Sequence, residues 1–183
     1  IFRYMVENHG FKVFGFECDF GESIFVENYI TRGEGDLDDI MKNKMHFWTW
    51  RTKEVRELIQ WMYNYNLDKP DSEKVHFVGF DCQTFTFQPN YILEKLQKVD
   101  QNVYDENKSL LDTLWFFNRE SVFSFNSQKE YKEKLKVLLQ RIENKKTEYI
   151  NKYSLYTLQI LLRMVENISQ TIDVKYRSFI GDY

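Results

Sequence analysis

The chain has 183 residues, a net charge of −3 and an aromatic content of 17%. That composition suits one substantial folded domain or part of a larger one and excludes a solvated, disordered segment. Lys and Arg are interspersed with Glu and Asp, so no basic stripe marks a nucleic-acid surface. No apolar run approaches a membrane span, and Ile1 to Gly10 has neither the charged start nor the small-residue cleavage site of a secretory leader. The expectation is a soluble, cytoplasmic protein with no nucleic-acid or membrane partner.

Ile1-Phe2-Arg3-Tyr4-Met5-Val6-Glu7-Asn8 already has helical spacing with no cap ahead of it, and reads as a helix entered midway, with a further part upstream. A strand follows in Phe11-Lys12-Val13-Phe14. It ends in Phe14-Gly15-Phe16-Glu17-Cys18-Asp19, a pattern that returns as Val78-Gly79-Phe80-Asp81-Cys82-Gln83 after a second strand-like run, Val75-His76-Phe77-Val78. In each, an apolar run closes on Gly, Phe, an acid and a Cys. Carboxylates at the carboxyl ends of strands are where open α/β folds place ligand sites, so two of them imply one shared crevice.

Between the strands, Ile24, Phe25, Asn28 and Tyr29 form a short helical face, which the glycines of Thr31-Arg32-Gly33-Glu34-Gly35-Asp36 break. Asp36 then caps a short helix through Ile40, Met41 and Lys44. After Phe47-Trp48-Thr49-Trp50-Arg51, the positions Val55, Leu58, Ile59, Met62 and Tyr65 predict an amphipathic helix ending near Asn66. Asp68 to Ser72 is a turn. Strand, helices and strand make a βαβ unit with parallel pairing. Two strands are too few for such a sheet, so the remaining strands are expected from other parts of the same polypeptide.

From Tyr91 onward glycines and strand-like runs vanish until Gly181. Three apolar stripes predict long helices: Val103, Leu110, Leu114 and Phe117; Tyr131, Leu135, Leu138, Ile142 and Tyr149; Leu155, Leu158, Leu162, Val165 and Ile172. Ser121 to Ser127 reads as the connection between the first two. The fold class is thus α/β, a partial parallel sheet with a βαβ unit (residues 1–90) plus a helical hairpin or small bundle insertion (91–183), predominantly helical by residue count.

The candidate chemistry gathers at the strand ends. Where the chain bends, Glu17 and Asp19 can both reach the crevice, and a carboxylate among Phe14, Phe16 and Phe20 suits a general base or the orienting partner of a histidine. Asp19 serves equally as the cap of the next helix; Glu17 lies too far back to cap well and is the favoured functional acid. Asp81 and Gln83 form a polar pair at the second strand end, lining the pocket or bonding to loop backbone. Trp48 and Trp50 can wall a pocket, with Arg51 clamping a carboxylate or bridging to Glu17, Asp19 or Glu54. His46 beside its aromatic neighbours reads more readily as packed than catalytic. Cys18 and Cys82 read as reduced core cysteines, and no histidine spacing suggests zinc, so no metal or cofactor is expected. Serine-hydrolase elbows, P-loops, dinucleotide glycine motifs and HExxH are absent from the sequence.

Four stretches, in this order and spacing, resemble the bacterial erythromycin esterase family, which includes succinoglycan-biosynthesis-like proteins: Gly10 to Phe20, Gly33-Glu34-Gly35-Asp36, Phe47 to Val55, and Val78 to Gln83. The resemblance runs from Phe2 to about Glu94; the rest is similar only in being a helical insertion. It implies metal-independent hydrolysis of a carboxylic ester, the macrolactone of erythromycin in the best-known, antibiotic-resistance members, by a histidine-activated water with assisting acids. Glu17 matches the family's strand-end acid; Arg51 and Asp81 match positions that line the pocket or support it. The family's histidine motifs match nothing here, so the resemblance implies an internal fragment, inactive alone, of a parent hydrolase of a small-molecule ester. The competing readings are a non-enzymatic module binding a small molecule or haem-type ligand, and an assembly surface on the helical half.

Overall fold

The two expected strands pair in parallel as β1, Val13–Asp19, and β2, His76–Asp81. The computed structural model describes residues 1–114 and 125–180, which form two compact units divided between Asp81 and Cys82. In the first unit Val13 lies opposite His76, Phe16 opposite Gly79 and Asp19 opposite Asp81, so β1 carries one extra residue between Phe16 and Asp19. That bulge interrupts the alternation of the strand. Phe16, Cys18 and Asp19 are buried, whereas Glu17 is exposed.

Phe14, Phe16 and Phe77 share the inner face, with Phe77 5.9 Å from Phe14 and 5.2 Å from Phe16. The chain of rings continues to Phe2, 4.7 Å from Phe14, and to Trp50, 4.8 Å from Phe16. The outer face is open, with Val13, Val78 and Phe80 exposed.

The helices of this unit have local causes. α1, Phe2–His9, stops at Gly10, whose φ of 68° is left-handed. α2, Phe20–Arg32, begins where the Asp19 carboxylate accepts the Gly21 N–H at 3.0 Å. Asp36 accepts the Asp39 N–H at 2.8 Å, capping α3, Leu37–Asp39, which runs into a π turn over Ile40–Lys44. After a single 3₁₀ turn, Trp48–Trp50, the Thr52 hydroxyl caps α4, Lys53–Asn66. Of the expected α4 stripe, Ile59 and Met62 are fully buried. Buried Asn66 closes the helix: its Nδ2 donates to the carbonyls of Ile30 (3.0 Å) and Val75 (2.9 Å), and its Oδ1 accepts the Val75 N–H (2.8 Å). A single satisfied amide thus ties the ends of α2 and α4 to the entry of β2.

The second unit contains α5, Gln88–Gln97; α6, Gln101–Leu114; α7, Phe125–Asn144; α8, Lys146–Lys152; and α9, Leu155–Ile180. α5 starts ahead of the expected change at Tyr91 because Pro89 suits a first helical turn. The α6 and α7 stripes are inward at Val103, Leu110, Leu114, Leu135, Leu138 and Ile142. Tyr149 is buried on α8, past a break at Lys145, whose ammonium pairs with Asp100 at 2.7 Å. On α9 the buried seam is Leu158, Leu161, Met164, Val165, Ile168 and Ile172; Leu155 is exposed, one turn outside the packed region. Phe125 to Ser127, expected as connection, already belong to α7. Phe117 and residues 121–124 lie outside the described residues. Among the described residues no helix is long and apolar enough to cross a membrane.

Gly79 is the tightest point of the sheet. A Cβ there would sit 2.7 and 2.8 Å from the carbonyl oxygens of Cys18 and Asp19 and 2.9 Å from the Ser23 Cβ. At Gly15, on the open face, the nearest atom would be a Phe80 ring carbon at 3.7 Å. Gly79→Ala is therefore expected to cost about 2 kcal/mol or more through overpacking against backbone, while Gly15→Ala leaves stability nearly unchanged. Thermal unfolding of the two variants compares them directly, and equal melting shifts would contradict this account.

Candidate active site

The carboxyl ends of β1 and β2 bring three acids into one neighbourhood, in a different combination from the one the repeated motif suggested. Aligning the two motifs sets Glu17 beside Asp81, but the register and the bulge place Asp19 opposite Asp81. Asp19 is buried and caps α2, so the capping role weighed for it is realised. Asp81 is half-buried. Glu17 is exposed on the open face, and its carbonyl accepts the Trp50 indole N–H at 2.8 Å.

Arg51 does not bridge to Glu17, Asp19 or Glu54. Its Nε and Nη2 donate to the Met45 carbonyl at 3.0 and 2.7 Å. The N–H on the other side of that same peptide, that of His46, donates to Glu22 Oε2 at 2.8 Å. A guanidinium and a carboxylate thus grip one peptide group from its two ends, and the peptide dipole lies between opposite charges. With the Trp50 to Glu17 bond, this fastens the segment from Met45 to Arg51 to the strand end.

Glu22 is the residue that the sequence reading passed over. It is 1% exposed, and its Oε1 has no hydrogen-bond partner among the described residues. Burial pushes its pKa up from 4.5 to about 7; the His46 amide pulls it down, Asp19 raises it, Arg51 lowers it and Asp81 raises it. The pattern Asp19-Phe20-Gly21-Glu22 was a visible signal, since an acid three residues after an N-cap usually reaches back to the cap's amide. Here it reaches across to His46 instead. Neighbouring Cys18 is a free, buried thiol; burial and then the charges of Glu22, Asp19 and Asp81 push its pKa upward, so it stays protonated and unreactive.

Of the other candidates, Trp48 is 78% exposed and Gln83 is exposed in the second unit. His46 has an exposed side chain at 5.7 Å from the Phe47 ring. His76, at the opposite end of β2, bonds through Nδ1 to buried Glu27 at 2.8 Å, while Glu27 Oε2 accepts the Phe77 N–H at 2.9 Å. That bond raises the His76 pKa. Among the described residues no three His, Cys, Asp or Glu side chains are grouped to hold a metal ion.

A parallel βαβ unit with acids at its carboxyl ends, followed by a helical unit, defines an α/β protein of the kind that places ligands at strand ends. Residues 6–175 match the sequence pattern of the family described as erythromycin esterase, and the chain belongs to that family. It is 33% identical over 81 residues to an erythromycin esterase type II of Escherichia coli, an alignment covering 44% of this chain and 18% of that protein. Among solved structures it resembles a Bacillus cereus protein (TM-score 0.74, 20% identity) and a succinoglycan biosynthesis protein (0.71, 19%), covering 95% of this chain and 42% of each. It also resembles a variant of the erythromycin esterase EreC in its open conformation (0.62, 17%), over 98% of this chain and 46% of that one. The chain therefore spans less than half the length of these relatives, and these likenesses show the fold.

The raised pKa of Glu22 has a definite sign. Between 4.5 and about 7 the folded chain keeps a proton that the unfolded chain has released, so stability falls as pH rises through that window. His76 acts in the same direction: its folded pKa lies above 6.5, so its contribution is complete below that value and is lost as pH rises through the folded one. Glu22→Gln, neutral at every pH, is expected to flatten the slope and to stabilise the chain at about pH 8, by up to about 3 kcal/mol. Urea unfolding across pH measures this; a variant as pH-dependent as wild type, or less stable at high pH, would contradict it.

Proposed function

We propose that this chain is part of an esterase that hydrolyses a small-molecule ester or macrolactone without a metal ion. The observation that carries the reading is the family match over residues 6–175. The geometry agrees with it: Glu17 is an exposed carboxylate at a strand end, anchored through its own carbonyl by Trp50, and Trp48 offers an exposed aromatic surface nearby in sequence.

In this scheme a histidine supplied by another part of the polypeptide takes a proton from water as the oxygen attacks the ester carbonyl. The C–O bond to the alcohol then breaks, and the departing alkoxide receives that proton from the imidazolium. Glu17 orients the imidazole and stabilises its charged form. Asp19, Arg51 and Asp81 support the wall of the pocket, and Trp48 faces the substrate. The open sheet face, with Val13, Val78 and Phe80 exposed, is covered in the whole protein by further strands and helices of the same polypeptide, since parallel sheets are buried on both sides. The location we propose is the cytoplasm.

In the whole protein, Glu17→Gln is expected to lower kcat on its ester substrate by about 100-fold or more with little change in KM, and a chelator is expected to leave the rate unchanged. Steady-state kinetics on an ester panel is the measurement. Undiminished turnover in Glu17→Gln removes Glu17 from the mechanism, and inhibition by chelation overturns the metal-independent scheme.

A further inference from the structure

We infer that Glu22 is a positioning residue for the Glu17 end of the sheet, acting through the Met45–His46 peptide that it shares with Arg51. The inference deepens the hydrolase reading, in which Glu17 is the acid being placed. Three observations converge on it. The first is the grip: Glu22 Oε2 accepts the His46 N–H at 2.8 Å while Arg51 holds the Met45 carbonyl at 2.7 and 3.0 Å. The second is continuity, because the segment so held delivers the Trp50 indole to the Glu17 carbonyl at 2.8 Å and sets the Trp50 ring on Phe16 at 4.8 Å. The third is the buried Oε1 of Glu22, without a hydrogen-bond partner among the described residues, in a residue only 1% exposed.

A carboxylate so placed is not what helix capping or core packing requires. An apolar side chain would fill the same space, and a capping acid would turn toward Asp19. Instead, the groups facing Glu22 are Cys18 and Asp19 from β1, Asp81 from β2, and Arg51 and the His46 amide from the connecting segment. The like charges of Asp19 and Asp81 oppose its ionisation, and the amide and the guanidinium favour it. The two groups that favour it belong to the connecting segment, so the Glu22 side chain and that segment hold each other in place.

The Trp50 indole N–H, whose nuclear magnetic resonance signal is assigned by Trp50→Phe, reports this directly in the chain without any substrate. The expected result is a wild-type Trp50 signal at its hydrogen-bonded position. In Glu22→Gln, which keeps an acceptor for the His46 N–H, the signal should stay at its bonded position. Glu22→Leu, which has no acceptor, should show the non-bonded signal throughout; if that variant fails to fold, the Glu22→Gln comparison still decides. A bonded Trp50 signal that persists in folded Glu22→Leu, or one that is lost in Glu22→Gln, overturns the inference. Loss of turnover in Glu17→Gln is read separately, so the hydrolase reading and the role of Glu22 can fail independently.

Discussion

The close approach of β2 to the bulge of β1 is the constraint on which the first unit depends. Gly79 has no side chain, so the carbonyls of Cys18 and Asp19 and the Cβ of Ser23 can come to where a Cβ would otherwise stand. Without that space the extra residue of β1 could not be accommodated beside its partner strand. The bulge then does two things at once. It turns Asp19 inward, where its carboxylate starts α2, and it leaves Glu17 outward on the open face.

From that start the position of Glu22 follows, because it lies in the first turn of α2 and points toward the connecting segment rather than back to the cap. The segment from Met45 to Arg51 has little regular hydrogen bonding of its own, only one 3₁₀ turn. It is ordered by side chains: Glu22 and Arg51 on one peptide, and the Trp50 indole on Glu17. The cost is a buried acid beside two others. Such arrangements persist where a defined geometry matters more than maximal stability, which is the circumstance expected of a site.

The second unit is held differently. Its core is a seam of Leu, Ile, Val and Met on successive helices, with few polar groups inside. One exception is Gln88, fully buried, whose Nε2 donates to Asn167 Oδ1 at 2.7 Å and so couples α5 to α9 at one register. Another is Asp100, which accepts the Val103 N–H at the start of α6 and pairs with Lys145 at the break between α7 and α8. Hydrophobic stripes leave helices free to slide by a turn; directional bonds of this kind select one alignment.

Local chemistry was legible in the residues themselves. The Asp36 cap, the glycine stops, the α4 stripe ending near Asn66 and the parallel βαβ unit all follow from patterns within a few turns of chain, since periodicity and capping depend on near neighbours. The strand-end acids and the resemblance carried by Gly10 to Phe20 and Phe47 to Val55 also lay in the sequence, and the family assignment agrees with them. What the sequence could not contain was which acid faces which. The repeated Gly-Phe-acid-Cys motif pairs Glu17 with Asp81 on paper, but a single extra residue shifts the register and sets Asp19 opposite Asp81. Arg51 on a carbonyl rather than a carboxylate, and Glu22 gripping a peptide 24 residues away, depend on contacts between distant segments. Those contacts exist only once the core has formed, because burial, not spacing, decides where a charged side chain must find its partner.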